Sequence, residues 1–202
     1  MTPSVVVFDL GKVLVDFDYS IAGRRIAAQA NSTPAAVQTF LDHSPLLYRF
    51  ETGLMTQREF FAEVRQYTGF RGSFDEFAGY FADIFWEMPL MLDLHDKIRR
   101  KGIPTYIFSN TNDLAIGHIR RNFPFFANFD GYILSYEVKA MKPNAIIYEA
   151  LETMSGKRGA DILYLDDRQE NVDAGAARGW QVILQTDPEK TRAAIKTLGL
   201  ID

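Results

Sequence analysis

Short apolar runs alternate along this chain with stretches whose apolar residues recur at helical spacing. The first run, Ser4 to Leu10, is rich in valine and ends in Asp9-Leu10-Gly11. An unbroken apolar run of this length suits a strand buried on both faces of a parallel sheet. Comparable runs stand at Thr105 to Phe108, Gly131 to Leu134, Ile162 to Leu165 and Gln181 to Leu184. Helix-like stretches separate the later ones, at Leu92 to Lys101, Asn112 to Asn122, Ala145 to Met154 and Asn171 to Arg178. This alternation predicts the α/β class, with βα units around a parallel sheet. Gly102 and Gly179 stand where helix C-terminal caps are expected.

The first two strand candidates lie about 95 residues apart, far beyond the dozen or so that a single crossover needs. The interval reads as mostly helical, so an inserted helical lobe is expected. Phe60, Phe61, Val64 and Tyr67, then Phe74, Phe77, Tyr80, Phe81, Ile84 and Phe85, recur at helical spacing. A small aromatic core explains them better than an aromatic ligand box. The expected division is an α/β core of residues 1–18 and 88–202 with a helical cap of residues 19–87.

Composition narrows the classes of partner. A formal net charge of −4, with Lys and Arg scattered rather than striped, argues against nucleic acid. No apolar run is long enough for a membrane span and no signal-peptide pattern opens the chain, so no membrane partner and a cytoplasmic location are expected. The absence of cysteine rules out disulfides and thiolate metal sites. The sequence assigns no oligomeric state.

Four clusters stand just past the ends of strand candidates, where open α/β sheets bind ligands. They are Asp9, Ser109-Asn110-Thr111, Lys142, and the pair Asp166-Asp167. Alone, Asp9 is as well read as a helix cap or ion-pair member, Ser109 as a turn residue, and Lys142 as a solvated surface lysine. Three carboxylates converging in one cleft repel one another unless a cation neutralises them. Hard oxygen donors without cysteine or a histidine cluster suit Mg²⁺. A metal would screen Asp9 from a phosphate's negative charge, so that Asp9 attacks phosphorus and forms an aspartyl phosphate which water then cleaves. Ser109 and the backbone N–H groups after it are candidate donors to the phosphoryl oxygens, and Lys142 a candidate source of positive charge.

The ordered set VVVFDLGKVLVDFD, SNT, KP and LDDRQENVDAG resembles the haloacid dehalogenase-like hydrolases over nearly the whole chain. It is most similar to helical-cap members, especially the α-D-glucose-1-phosphate phosphatase-like branch and the N-terminal phosphatase domain of epoxide hydrolases. The resemblance implies a Rossmann-like parallel sheet core flanked by helices with an inserted helical cap. It implies Mg²⁺ as cofactor and a small phosphorylated metabolite, such as a hexose-1-phosphate, as substrate. It further implies Asp9 as nucleophile and metal ligand, Gly11 as a ligand through its carbonyl, and Ser109 and Lys142 on phosphate, with Asn110 and Thr111 completing the phosphate pocket. Asp167 is expected to bind the metal directly and Asp166 to hold a metal-bound water, the reverse assignment being left open. Asn171 is expected to orient the acidic pair.

One position departs from the usual phosphatase pattern. Where a second aspartate should stand two residues after the nucleophile, to protonate the leaving oxygen, this chain has Gly11. Such acid–base help is typically worth about 10²–10⁴-fold in rate, or roughly 3–5 kcal/mol of barrier. Three readings absorb the loss: a substrate with a good leaving group, a substitute acid at Asp16, Asp18 or His43, or a non-catalytic phosphate-binding or interaction protein. Asp18 is also a fair N-cap for the helix after it. Two other readings are weaker. A signalling receiver carries its acidic pair on the first strand, whereas here the pair is near the end. A haloacid dehalogenase-type hydrolase works without a metal, which Asp166-Asp167 argue against.

Overall fold

The structure is a computed structural model that describes residues 2–202, and of residues 42 and 43 the backbone only; the side chain of His43 therefore lies outside the described residues. All five expected strands form. They are β1 (Val5–Phe8), β4 (Thr105–Ser109), β5 (Gly131–Leu134), β6 (Ile162–Asp166) and β7 (Gln181–Leu184), in one parallel sheet of order β5-β4-β1-β6-β7.

Alternation along β1 explains why its run is apolar throughout. Val6 and Phe8 point into a cluster with Met91, Leu94 and Ile98, whereas Val5 and Val7 join Ile147, Tyr148, Leu151 and Trp180 on the other face. Successive side chains of a strand face opposite ways, so a strand covered by helices on both sides must be apolar at every position. The first layer includes α6 (Pro89–Arg100), α7 (Asp113–Asn122) and α11 (Pro188–Thr197). The second includes α9 (Ala145–Ser155), with α10 (Gln169–Ala177) packed close to β6 and β7. Gly102 and Gly179, at φ +76° and +81°, stand one residue past the caps of α6 and α10, in the left-handed conformation that glycine adopts without penalty.

Between β1 and α6 the chain forms five helices: α1 (Tyr19–Ala27), α2 (Pro34–His43), α3 (Pro45–Glu51), α4 (Gln57–Thr68) and α5 (Phe74–Ala82). They enclose a separate apolar cluster whose centre is Phe50, Phe60, Phe77 and Phe81, with Phe50 and Phe60 stacked at 4.3 Å. Capping boxes start α4 at Thr56/Glu59 and α5 at Ser73/Glu76. The aromatic periodicity in this interval is thus core packing, except at Tyr67, which lies exposed and stacked on Phe40.

Several short or terminal elements were not legible in the apolar pattern. The short strands β2 (Val15–Phe17) and β3 (Phe85–Glu87) pair antiparallel at the two crossings between sheet and helical lobe. At three residues each they carry too little alternation to register. Helix α11 follows an Asp187 N-cap with Pro188 at its first turn. No helix among the described residues is long and apolar enough to cross a membrane.

Candidate active site

The central strand β1 has β4 on one side and β6 on the other, so the chain reverses direction across the sheet beside β1. Ligands of open α/β sheets lie at such a switch point, beyond the carboxyl ends of the strands. Asp9 follows β1, the Ser109-Asn110-Thr111 segment ends β4, and Asp166-Asp167 ends β6. Lys142 arrives from the loop between α8 (Ser135–Val138) and α9. A cleft of about 410 Å³ opens there, lined by Asp9, Gly11, Asn110, Lys142 and Asp167 from the sheet side and by Tyr19, Leu47 and Glu51 from the helical lobe.

Lys142 is the hub, with only 5% of its surface exposed. Its Nζ donates to the Phe108 carbonyl at 2.8 Å and to Asp166 Oδ2 at 2.6 Å, and lies 3.1 Å from Asp9 Oδ1. Burial opposes its charge, but Asp9 and Asp166 hold its pKa above the ordinary lysine value. The Asn110 side chain is spent on the Lys142 main chain, accepting from its N–H at 2.7 Å and donating to its carbonyl at 3.0 Å. Asn110 thereby positions the lysine.

Three carboxylates, Asp9, Asp166 and Asp167, each offer an oxygen within 4.8 Å of the others. Asp166 is fully buried and saturated. Its Oδ1 accepts from the Arg168 N–H at 2.8 Å and from Asn171 Nδ2 at 3.0 Å, while Oδ2 accepts from Lys142 and the Tyr164 hydroxyl. Burial would raise its pKa, yet Lys142 and these donors bring it below the usual carboxylate value. Asp9 is different. Its Oδ1 accepts from the Leu10 N–H at 2.6 Å and faces Lys142, whereas Oδ2 has no hydrogen-bond partner among the described residues. Desolvation, against the pull of Lys142 and reinforced by Asp166 and Asp167, pushes its pKa up to about 8. Burial and Asp166 likewise raise Asp167, which lines the cleft half-buried. One lysine therefore faces three acids, a charge imbalance that a hard divalent cation relieves, and the available oxygens of Asp9 and Asp167 suit such an ion.

Ser109, 2% exposed, and Thr111 line a smaller recess of about 70 Å³ that shares Gly11, Glu51 and Asn110 with the main cleft. Of the backbone N–H groups after Ser109 that were expected as phosphate donors, one is engaged within the protein. The Thr111 N–H is already bonded to Ser135 Oγ at 2.9 Å, because Ser135 is buried beside it at the end of β5.

The substitute acids considered for Gly11 are also occupied. Asp16 pairs with Lys12 and accepts from its neighbour's N–H, Phe17, at 2.7 Å. Asp18 caps α1 by accepting from Ser20, whose hydroxyl and N–H hold its pKa below the ordinary value. Neither lines the cleft. At Gly11 itself, an added Cβ would fall 2.8 Å from the Phe17 ring, so the site is packed around the missing side chain.

Residues 3–179 match the family model of the haloacid dehalogenase-like hydrolases. The chain belongs to that family. The fold agrees with solved relatives. A HAD family enzyme from Bacteroides thetaiotaomicron superposes with a TM-score of 0.81 at 22% identity, covering 91% of this chain and 93% of its own. The same enzyme in complex with magnesium and inorganic phosphate gives 0.78 at 24% identity over 90% and 93%. A HAD-like family hydrolase from Porphyromonas gingivalis gives 0.81 at 24% identity over 96% and 98%. L-2-haloacid dehalogenase from Xanthobacter autotrophicus is more distant, at 0.64 and 18% identity over 89% and 76%.

Glu51 and Arg168 also line the cleft, and neither was assigned a role from the sequence. Glu51, the last residue of α3, is half-buried, and desolvation pushes its pKa up to about 7 although Arg168 works to lower it.

Proposed function

We propose that this hydrolase is a magnesium-dependent phosphatase that cleaves a small phosphate ester through an aspartyl phosphate on Asp9. The observation that carries the reading is the pairing of one uncommitted oxygen, Asp9 Oδ2, with a carboxylate cluster that lacks enough positive charge. The solved relative that binds magnesium and inorganic phosphate supports the same chemistry.

In this scheme Asp9, Asp167 and the Gly11 carbonyl would hold the ion, while Asp166, whose oxygens are already taken, fixes Lys142 beside it. Magnesium, when bound, supplies positive charge that screens the phosphate from the attacking carboxylate. Asp9 attacks phosphorus, while Lys142, beside its Oδ1, balances charge on the phosphoryl oxygens. Ser109 and Thr111 bind the phosphoryl group from the smaller recess, and Asn110 keeps Lys142 in place. Residues 19–87 form a cap that covers the cleft and selects substrate, over a catalytic domain of residues 1–18 and 88–202. A sugar phosphate esterified at the anomeric oxygen fits the glycine at position 11, because that oxygen is a weaker base than an ordinary alkoxide.

A hydrolysis screen of small phosphate esters, with and without Mg²⁺, tests this reading on wild type and Asp9→Asn. Turnover that needs the metal and is lost in the variant is expected. Hydrolysis of 2-haloacids without metal, alongside silence on every phosphate ester, would overturn it in favour of a dehalogenase. Silence in both assays would favour a binding protein.

A further inference from the structure

Resting on the phosphatase reading, we propose that Glu51 is the general acid and base of the reaction, supplied by the helical lobe in place of the side chain that Gly11 lacks. Asp9, Asp167 and Glu51 are the acids lining the cleft. The first two serve as nucleophile and metal ligand, which leaves Glu51 for proton transfer. In-line displacement also calls for an acid away from the nucleophile. Asp9 stands at the end of the sheet, and Glu51 reaches the same cleft from the lobe.

The lobe is pinned to the core at this point. Ser135 Oγ donates to the Glu51 carbonyl at 2.6 Å, the same hydroxyl that accepts the Thr111 N–H at 2.9 Å. Two residues on, the Gly53 carbonyl accepts from Lys139 Nζ at 2.8 Å. Glu51 is thus tied to the segment that follows Ser109. Its place at the C-terminal end of α3, where the helix carbonyls point, also disfavours a negative charge. The charged and titratable groups that share the cleft are Asp9, Lys12, Tyr19, Lys142, Asp167 and Arg168. Arg168 draws Glu51 towards ionisation, and burial outweighs it to leave the carboxyl titrating at about 7.

The proton balance closes without a further reactant. As Asp9 Oδ2 bonds to phosphorus, the ester P–O bond breaks and its electron pair goes to the leaving oxygen, which takes the Glu51 proton to give the alcohol. The Glu51 carboxylate then removes a proton from water as the water oxygen attacks the aspartyl phosphate. The bond from phosphorus to Asp9 breaks, inorganic phosphate leaves, and both side chains return to their starting states.

The test compares alkyl and aryl phosphates on wild type, Glu51→Gln, Glu51→Asp and Asp9→Asn with Mg²⁺ present. Glu51→Gln should lose about 10²–10⁴-fold in kcat/KM on alkyl phosphates. Its loss on 4-nitrophenyl phosphate should be much smaller at the first step, because that leaving group needs no proton. Wild-type kcat/KM on the alkyl esters should fall as pH rises through about 7, where Glu51 gives up its proton, and Glu51→Gln should lack this limb. With its base gone, Glu51→Gln should accumulate phosphoenzyme from 4-nitrophenyl phosphate, visible by mass spectrometry, and Glu51→Asp should recover part of the rate. A Glu51→Gln enzyme with the wild-type pH limb and alkyl-to-aryl ratio overturns the proposal. So does an equal loss on both classes without phosphoenzyme, which marks a structural role. A wild type inactive on both classes, or an Asp9→Asn enzyme as active as wild type, instead overturns the phosphatase reading and the role of Glu51 with it.

Discussion

Strands β1 and β6 lie side by side, run in the same direction and each lead into an aspartate against Lys142, yet the two strand ends are built for opposite purposes. At the end of β6, Asp166 is surrounded by four donors and held ionised. At the end of β1, Asp9 has one oxygen engaged and one open, and its surroundings resist its charge. A carboxylate whose lone pairs are all occupied is a structural anchor. One that is desolvated and only half satisfied can react, because forming a new bond costs it no existing partner.

The widest separation between the two ends should come from removing each acid in turn. Asp166→Ala leaves Lys142 and the Tyr164 hydroxyl short of their acceptor, and should cost about 3–5 kcal/mol in denaturant unfolding. Asp9→Asn in metal-free protein should stay within about 1 kcal/mol of wild type. Equal losses would break the comparison. A smaller effect is expected from Tyr164→Phe, which deletes one charge-assisted bond to Asp166, at about 1.5–3 kcal/mol on the same measurement. No change would mean that the remaining three donors suffice. The smallest belongs to the β1 end. Gly11→Ala places a Cβ 2.8 Å from the Phe17 ring and should cost about 1–3 kcal/mol, relieved in the double variant with Phe17→Leu. For the same reason Gly11→Asp alone should not speed hydrolysis of poor leaving groups, since its side chain has no room beside Phe17.

Much of this was legible in the chain itself. Continuous apolar runs marked all five strands of the main sheet because both faces of that sheet are buried, and the ordered motifs marked Asp9 and the Asp166-Asp167 pair because each stands at a strand end, whereas Lys142, expected just past a strand, lies beyond the short helix α8 that follows β5. The β2–β3 pair was hidden, since three residues per strand leave no period to detect. Asp16 and Asp18 were reasonable acids by proximity to Asp9, but local geometry spends one on Lys12 and the other on capping α1. Asn110 was expected on phosphate; it lines the cleft, and its side chain is hydrogen-bonded to the Lys142 main chain.

The sequence by itself determined the strand order of the chemistry: which residues stand at strand ends, and that a glycine replaces the usual acid. Those are local properties, set by side-chain type and by the period of two that exposes or buries a face. Only the tertiary structure decided which acid is saturated, which is open, and that Glu51 from a distant helix shares their cleft. Desolvation and hydrogen-bond saturation depend on groups far apart in the chain, and the segment Tyr48-Arg49-Phe50-Glu51 carries nothing locally that distinguishes a half-buried, cleft-lining acid from a solvated one.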